Sequence, residues 1–228
     1  MPPAPRTALL DLIATYSFKL GDFTLASGQK SDYYIDCRTT TLHAEGGRLS
    51  GIVLYELIRE HLPHALAVGG LTMGADPLVS NTASASAWAL AEYNEILELS
   101  DQLERDDPAF VDPEPGEKPA LIHGFLVRKA EKAHGTGRRL EGFLQAGAPV
   151  VIVDDVCTTG GSTITAIEAT RDAGMVVAGV LCLVDREQGG RLNIERALAE
   201  VPGDREIPFR SVFTASDVRR AHVALSLP

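Results

Sequence analysis

The sequence of 228 residues predicts an α/β fold with a parallel, doubly wound sheet and helices on both faces. Three largely apolar runs carry this prediction: Leu121–Val127, Val150–Val153 and Val176–Arg186, the last of which ends in Asp185 and Arg186. Because these runs do not alternate between apolar and polar residues, they are typical of strands covered on both faces. Segments with helical spacing lie between them. We therefore expect one domain over residues 1–228.

The N-terminal residues, up to about residue 40, predict a small hood beside the sheet. Thr7–Tyr16 has the apolar spacing of a helix. Two short β-type runs, Phe23–Leu25 and Tyr33–Asp36, flank a turn and indicate a hairpin. The hairpin either packs on the main sheet as a simple lid or closes over a planar ligand, with Tyr33 and Tyr34 near its ring.

The remaining elements alternate between helices and strands. The patterns predict helices at His43–Glu60, Ile164–Ala173 and Gln188–Ala199, and further strands at Ala65–Gly70 and Pro208–Thr214. Gly69, Gly70 and Gly74 follow or end the strand that begins at Ala65. They indicate a close backbone approach at the carboxyl end of a parallel strand.

The acidic charge is concentrated in one segment. The net charge is −10, and the stretch from Ser86 to Ala120 holds ten acids against Arg105 and Lys118, hence −8, which leaves −2 for the rest. This segment, about 86–120, looks like an acidic amphipathic helix followed by a proline-rich linker, and we interpret part of it as an insertion. It is a partner surface, a packing element or a solvated excursion.

Composition excludes several classes of function. An acidic chain argues against a general nucleic-acid binder, and no apolar stretch approaches the ~20 residues that cross a bilayer. The N-terminus is typical of a first helix and not of a signal peptide. Three scattered cysteines, Cys37, Cys157 and Cys182, fit a reducing cytoplasm better than a disulfide framework.

The stretch from Pro149 to Thr163, PVVIVDDVCTTGGST, is the strongest candidate site. A strand leads into Asp154 and Asp155 and then into a turn of hydroxyls and glycines at a helix N-terminus. Amides and the helix dipole favour a phosphate there. Adjacent carboxylates accept hydrogen bonds from a sugar diol and hold waters around a divalent metal. The simpler interpretation is that the acids cap a turn and the glycines only permit a βα connection.

A cluster of cations follows the apolar run at Leu121–Val127. Arg128, Lys129, Lys132 and His134 lie within seven residues and precede two glycines. Such a cluster is either a solvated face or a mobile arm that neutralises an anionic leaving group. A further cation, Arg186, ends the run that begins at Val176. It is suited either to a surface ion pair or to a bidentate contact with a carboxylate.

These motifs resemble known families. VVIVDDVCTTGGST resembles the phosphoribosyl pyrophosphate (PRPP) signature of type I phosphoribosyltransferases. The string R-K-x-x-K-x-H-G from Arg128, the hood pattern F-x-L-x-S-G-x-x-S-x-Y-Y from Phe23, and D-R-x-x-G-G from Asp185 resemble orotate phosphoribosyltransferases. Two lysines of the family are missing: Ala26 stands where many members have a lysine, and Met73 stands where some members have one. Lys30 is a candidate replacement for the first.

The resemblance implies an activity and a set of site residues. The activity is transfer of phosphoribose from PRPP to orotate, giving orotidine 5′-monophosphate and pyrophosphate for pyrimidine synthesis. The implied catalytic residues are Lys132, His134, Asp154 and Asp155. The implied PRPP contacts are Arg128, Lys129, Lys132, His134, Asp154, Asp155, Val156, Cys157, Thr158, Thr159, Gly160, Gly161 and Ser162. The implied orotate contacts are Thr158, Arg186, Tyr33 and Tyr34.

The resemblance also implies Mg²⁺, held by the substrate and waters beside Asp154 and Asp155, and a cytoplasmic homodimer with shared active sites. Two alternatives stay open. One is another type I phosphoribosyltransferase, acting on a purine or uracil. The other is a non-catalytic regulator that senses PRPP.

Overall fold

A computed structural model describes residues 3–24, 30–106, 116–129, 139–199 and 208–227. The chain begins with helix α1 (Pro5–Leu12), which passes into one π-helical turn (Ile13–Ser17). A two-stranded antiparallel hood follows, made of β1 (Phe18–Thr24) and β2 (Lys30–Ile35). The predicted hairpin is therefore present, with longer strands than expected, and its turn lies outside the described residues.

The main sheet has six strands in the order β5-β4-β3-β6-β7-β8. They are β3 (Ala67–Leu71), β4 (His123–Val127), β5 (Leu140–Gly142), β6 (Pro149–Cys157), β7 (Val176–Asp185) and β8 (Phe209–Thr214). All neighbours are parallel except β4 and β5, which are antiparallel. The short β5 was not predicted, since three residues carry no periodicity.

Helices cover both faces, as predicted. They are α2 (Arg38–Thr41), α3 (Ala44–His61), α4 (Asp76–Asp106), α5 (Gly161–Asp172), α6 (Gly190–Ala199) and α7 (Ala215–Leu225). Two clusters of buried apolar side chains flank the sheet. One holds residues of α1, α3, α4 and α7, and the other holds residues of α5 and α6. The apolar run Val150–Val153 is buried on both faces of the sheet, because successive residues of the run point to opposite clusters.

The acidic segment does not start a new element at Ser86. It continues α4, a helix of 31 residues that begins at Asp76. Ser86 is buried, and its hydroxyl accepts a hydrogen bond of 3.0 Å from the Ile122 N–H at the entry to β4. Beyond it the helix becomes exposed, as the exposed Ile96, Leu99 and Leu103 side chains show. Among the helices of the described residues, none is long and apolar enough to cross a membrane.

Candidate active site

The candidate site lies at the carboxyl ends of β3 and β6. The two strands are parallel neighbours, but the chain leaves them toward opposite edges of the sheet. Helix α4 connects β3 to β4 on one side, and α5 connects β6 to β7 on the other. Ligands of open α/β sheets bind at such a switch point. The sheet order thus brings together the loop after β3, the acid–hydroxyl loop after β6 and the end of β7.

The two aspartates of β6 occupy different environments. Asp154 is 7% exposed, and its Oδ2 accepts a hydrogen bond of 2.6 Å from the Thr163 hydroxyl. Burial, opposed by this bond and reinforced by the charge of Asp155, raises the pKa of Asp154 to about 7. One acid of the pair therefore faces the scaffold, whereas the sequence treats the two as equivalent.

Asp155 faces the loop after β3. Its Oδ1 accepts a hydrogen bond of 3.0 Å from the Val156 N–H, and a Cβ atom built on Gly74 would overlap that same oxygen. Gly74 is thus required for the contact between the two loops. Burial raises the pKa of Asp155, while the hydrogen bond from the Val156 N–H and the charge of the Arg38 guanidinium oppose the rise. Arg38 itself is bonded to Asp36 through two nitrogens.

The turn between β6 and α5 has the geometry of an anion cradle. Gly160 is the N-cap of α5 at φ +83°, where it makes no side-chain cap, and a Cβ atom there would overlap Ile194. Glycine is therefore required at this position. Thr159, Gly161 and Ser162 are exposed, and Thr158 is half-buried. The start of α5 presents amides and hydroxyls to an open surface.

Cys157 and Val156 lie behind this turn. Cys157 is buried, its N–H donates to Cys182 Sγ at 3.2 Å, and its carbonyl accepts from the Arg186 N–H at 2.9 Å. Val156 is half-buried against the apolar cluster. These two residues of the predicted PRPP set therefore lie beneath the loop, and the exposed Thr159, Gly161 and Ser162 form its surface.

Arg186 is buried at the end of β7 and touches the hood. Its Cζ lies 4.9 Å from the centre of the Tyr33 ring, and its Nη2 is 3.4 Å from the Ser31 hydroxyl. Its Nε is buried without a hydrogen-bond partner among the described residues. Tyr34, the next hood residue, is 39% exposed and its ring is 5.6 Å from that of Phe23. The structure therefore brings Tyr33, but not Tyr34, to Arg186.

The basic segment, Arg128–His134, is described only at its first two residues. The Arg128 Nε lies 3.3 Å from Glu141 Oε1 on β5, and its N–H bonds to the Arg139 carbonyl. Lys129 is exposed. Lys132 and His134 lie outside the described residues, as do Ala26 and the rest of the hood turn.

Sequence reasoning missed three features of the site. Thr163 stands inside the quoted motif, but nothing in the pattern marks it as a partner of Asp154. Ser31 is part of the hood pattern, and only the fold shows its contact with Arg186. Glu141 pairs with Arg128 because β5 returns antiparallel to β4.

Comparisons with known proteins agree with one another. The phosphoribosyl transferase domain model matches residues 126–197. The chain is 38% identical over 216 residues to the orotate phosphoribosyltransferase of Aquifex aeolicus, covering 93% of this chain and 97% of that protein. The orotate phosphoribosyltransferase of Mycobacterium tuberculosis, solved with Fe(III) dicitrate, superposes with a TM-score of 0.68 at 33% identity, covering 94% and 99% of the two chains.

The same mycobacterial enzyme, solved with PRPP, superposes with a TM-score of 0.65 at 30% identity, covering 95% of this chain and 99% of that chain. Identity above 30% across nearly the full length of both partners, together with the shared fold, establishes the relationship. The chain belongs to the orotate phosphoribosyltransferase family.

Proposed function

We propose that this chain transfers the phosphoribosyl group of PRPP to orotate at the switch point between β3 and β6, giving orotidine 5′-monophosphate and pyrophosphate. The observation that carries the proposal is Arg186. A buried guanidinium whose Nε has no partner in the described part of the chain calls for an anion. Orotate carries a carboxylate, whereas hypoxanthine and uracil do not. Planar guanidinium and carboxylate groups match as a two-bond fork.

The turn before α5 is suited to the 5-phosphate of PRPP. Amides of residues 158–162 and the Thr158, Thr159 and Ser162 hydroxyls supply donors, and the helix dipole adds favourable charge. Thr158 follows Cys157, whose carbonyl accepts a hydrogen bond from the Arg186 N–H, so the turn begins beside Arg186. Thr158 is the residue of this turn that we assign to both PRPP and orotate.

The acids are suited to the ribose and to Mg²⁺. Asp154 and Asp155 accept hydrogen bonds from the ribose diol, and Asp154 also accepts one from the Thr163 hydroxyl. The described residues hold no cluster of three or more metal-ligating side chains. Mg²⁺ commonly uses one or two carboxylates together with waters and substrate phosphates, so Asp154 and Asp155 fit it. When bound, the ion would supply positive charge beside the diphosphate.

The chemistry is a displacement at the anomeric carbon. As the C–O bond to the diphosphate breaks, the sugar becomes cationic and the leaving group gains negative charge. Asp155 stabilises the former, and Arg128, Lys129, Lys132 and His134 stabilise the latter. Arg186, aligned by the hood, holds orotate so that its ring nitrogen meets the carbon, and this placement supplies much of the rate.

We further propose the wider organisation that the sequence suggests. The chain forms a single domain over residues 1–228, with a hood at about 1–40 and an acidic insertion at about 86–120. It acts in the cytoplasm as a homodimer in which the basic segment reaches the neighbouring site. Sedimentation at equilibrium tests the dimer, since a monomer with full activity would exclude shared sites.

A steady-state assay with a panel of bases tests the reaction. Orotate should be consumed with PRPP, and a chelator should abolish consumption until Mg²⁺ is restored. Turnover of hypoxanthine or uracil without orotate would favour another type I transferase, for which Arg186 has no role. PRPP binding without turnover of any base would favour a regulator.

The pH dependence of PRPP use should report Asp154. Burial raises the pKa of Asp154 to about 7, so its carboxyl is largely protonated below that pH. Above that pH the carboxylate is ionised and accepts hydrogen bonds from the ribose hydroxyls of PRPP more strongly. The KM for PRPP should therefore fall as pH rises through about 7. The same raised pKa favours the folded state below the unfolded value of ~3.9, and this contribution is lost as pH rises through about 7.

A Thr163→Val substitution makes this assignment specific. It removes the hydroxyl that stabilises the ionised Asp154 carboxylate, so the pKa of Asp154 should rise. The fall in the KM for PRPP, this limb of the pH profile, should therefore occur at a higher pH than in the wild type. The 5-phosphate also titrates near pH 6, but its limb would be the same in both proteins. Identical profiles for the wild type and the variant would assign the limb to the substrate.

A further inference from the structure

Strand β2 of the hood contacts Arg186 from two sides. The Arg186 Cζ lies over the Tyr33 ring, 4.9 Å from its centre, and the Tyr33 hydroxyl is 3.5 Å from the Arg186 carbonyl. The Ser31 hydroxyl lies 3.4 Å from Nη2. These residues are separated from Arg186 by more than 150 positions, so the contacts exist only because the hood folds over the end of β7.

The contacts restrict how the guanidinium can present its donors. Its five N–H groups lie in one plane. An aromatic ring beside the guanidinium stabilises its charge more strongly in a desolvated site than in water. Ser31 holds one of the Nη2 donors, and Nε is left without an acceptor among the described residues. Nε is thus the donor that is left for an incoming acceptor.

The hood strand is itself fixed by packing. The Ser31 hydroxyl donates to the Tyr33 carbonyl at 2.7 Å, and the Tyr33 ring stacks on Phe18 with 5.5 Å between centres. Helix α7 braces the strand from outside, since Arg219 pairs with Asp32 at 2.8 Å. Helix α7 also holds the turn after Arg186, where Glu187 Oε2 accepts from the Ser216 N–H and hydroxyl.

We infer that Ser31 and Tyr33 are positioning residues for Arg186, and that they set the preference for a pyrimidine that bears a carboxylate. The sequence suggests Tyr33 as a direct contact of orotate, whereas we infer that Tyr33 acts through Arg186. This inference rests on the proposed function, because it concerns how Arg186 binds orotate.

Three variants test the inference: Tyr33→Leu, Tyr33→Phe and Ser31→Ala. Tyr33→Leu removes the ring and should raise the KM for orotate roughly tenfold, which corresponds to about 1.4 kcal/mol. Tyr33→Phe keeps the ring and should retain most of the orotate affinity. Ser31→Ala removes one neutral hydrogen bond and should raise the KM for orotate about threefold. The KM for PRPP should stay within about twofold in all three.

A double-mutant cycle separates positioning from general loss of structure. If Tyr33 acts through Arg186, Tyr33→Leu should have no further effect on orotate use in an Arg186→Ala background. Lys19→Ala, an exposed change on the neighbouring strand β1, is the matched control and should leave both KM values unchanged. If Tyr33→Leu does not fold, Ser31→Ala in the same cycle carries the test.

The outcomes distinguish the two levels of the proposal. Additive effects of Tyr33→Leu and Arg186→Ala, or an equal rise in the KM for PRPP, would overturn the positioning role and leave the reaction intact. A wild-type chain that does not consume orotate would overturn the proposed function, and the positioning role with it.

Discussion

Replacing Asp155 with asparagine should lower kcat/KM for PRPP by roughly a hundredfold or more, with little change in the thermal unfolding midpoint. The substitution keeps the size of the side chain and the Val156 contact, but it removes the charge that we propose stabilises the developing cation of the sugar. Losing one preorganised electrostatic contact in an active site commonly reduces the rate by about 10²–10³. Steady-state kinetics with orotate saturating, together with thermal melting, measure both expectations.

Two further variants frame this result. Asp172→Asn makes the same chemical change at the exposed far end of α5 and should leave the kinetics unaltered. Gly74→Ala keeps the carboxylate but forces it to move, because the new methyl group would overlap Oδ1, so activity should fall here too. Unaltered kinetics in Asp155→Asn would remove this aspartate from the mechanism.

Replacing Arg186 with alanine should raise the KM for orotate by roughly a hundredfold and leave the KM for PRPP within about twofold. Arg186 is buried, and the change removes the charge that we propose binds the orotate carboxylate. Truncating one member of such a buried pair costs about 2–5 kcal/mol. The two KM values, each measured with the other substrate saturating, give the result directly.

Charge alone should not restore the affinity. Arg186→Lys keeps the cation but loses the planar fork and the broad face that covers Tyr33, so it should recover only part of the loss. Arg191→Ala, which removes an arginine on α6 that packs over Phe209, is the control and should change neither KM value. Equal rises in both KM values for Arg186→Ala would contradict a contact specific to orotate.

The sequence was most informative where one local pattern fixes an element. The run Val150–Val153 and the glycines that follow it predicted β6, the turn and α5, because burial on both faces and the helix start leave clear local signals. The extent of α4 was not predicted. The charge pattern places a boundary at Ser86, whereas Ser86 lies within α4 and its hydroxyl accepts a hydrogen bond from the Ile122 N–H, a contact that depends on the fold.

Within the site, residue types were predictable and their relations were not. The pattern indicated two acids, but only the packing of α5 shows that Thr163 turns Asp154 inward. The hood pattern indicated two tyrosines near a ligand, but alternation along β2 directs one to Arg186 and the other outward. Contacts between residues more than 150 positions apart leave no trace in one sequence.

Helix α4 has a consequence for how anionic substrates arrive. It begins beside the site at Asp76, and its first acid beyond Ser86 is Glu92, about 24 Å further along the helix axis. That distance is about three Debye lengths at physiological ionic strength, where one is ≈ 8 Å. The acids of α4 from Glu92 onward are thus screened from the mouth of the site. The association rates of PRPP and orotate should respond to the local cations and not to the net charge of the chain.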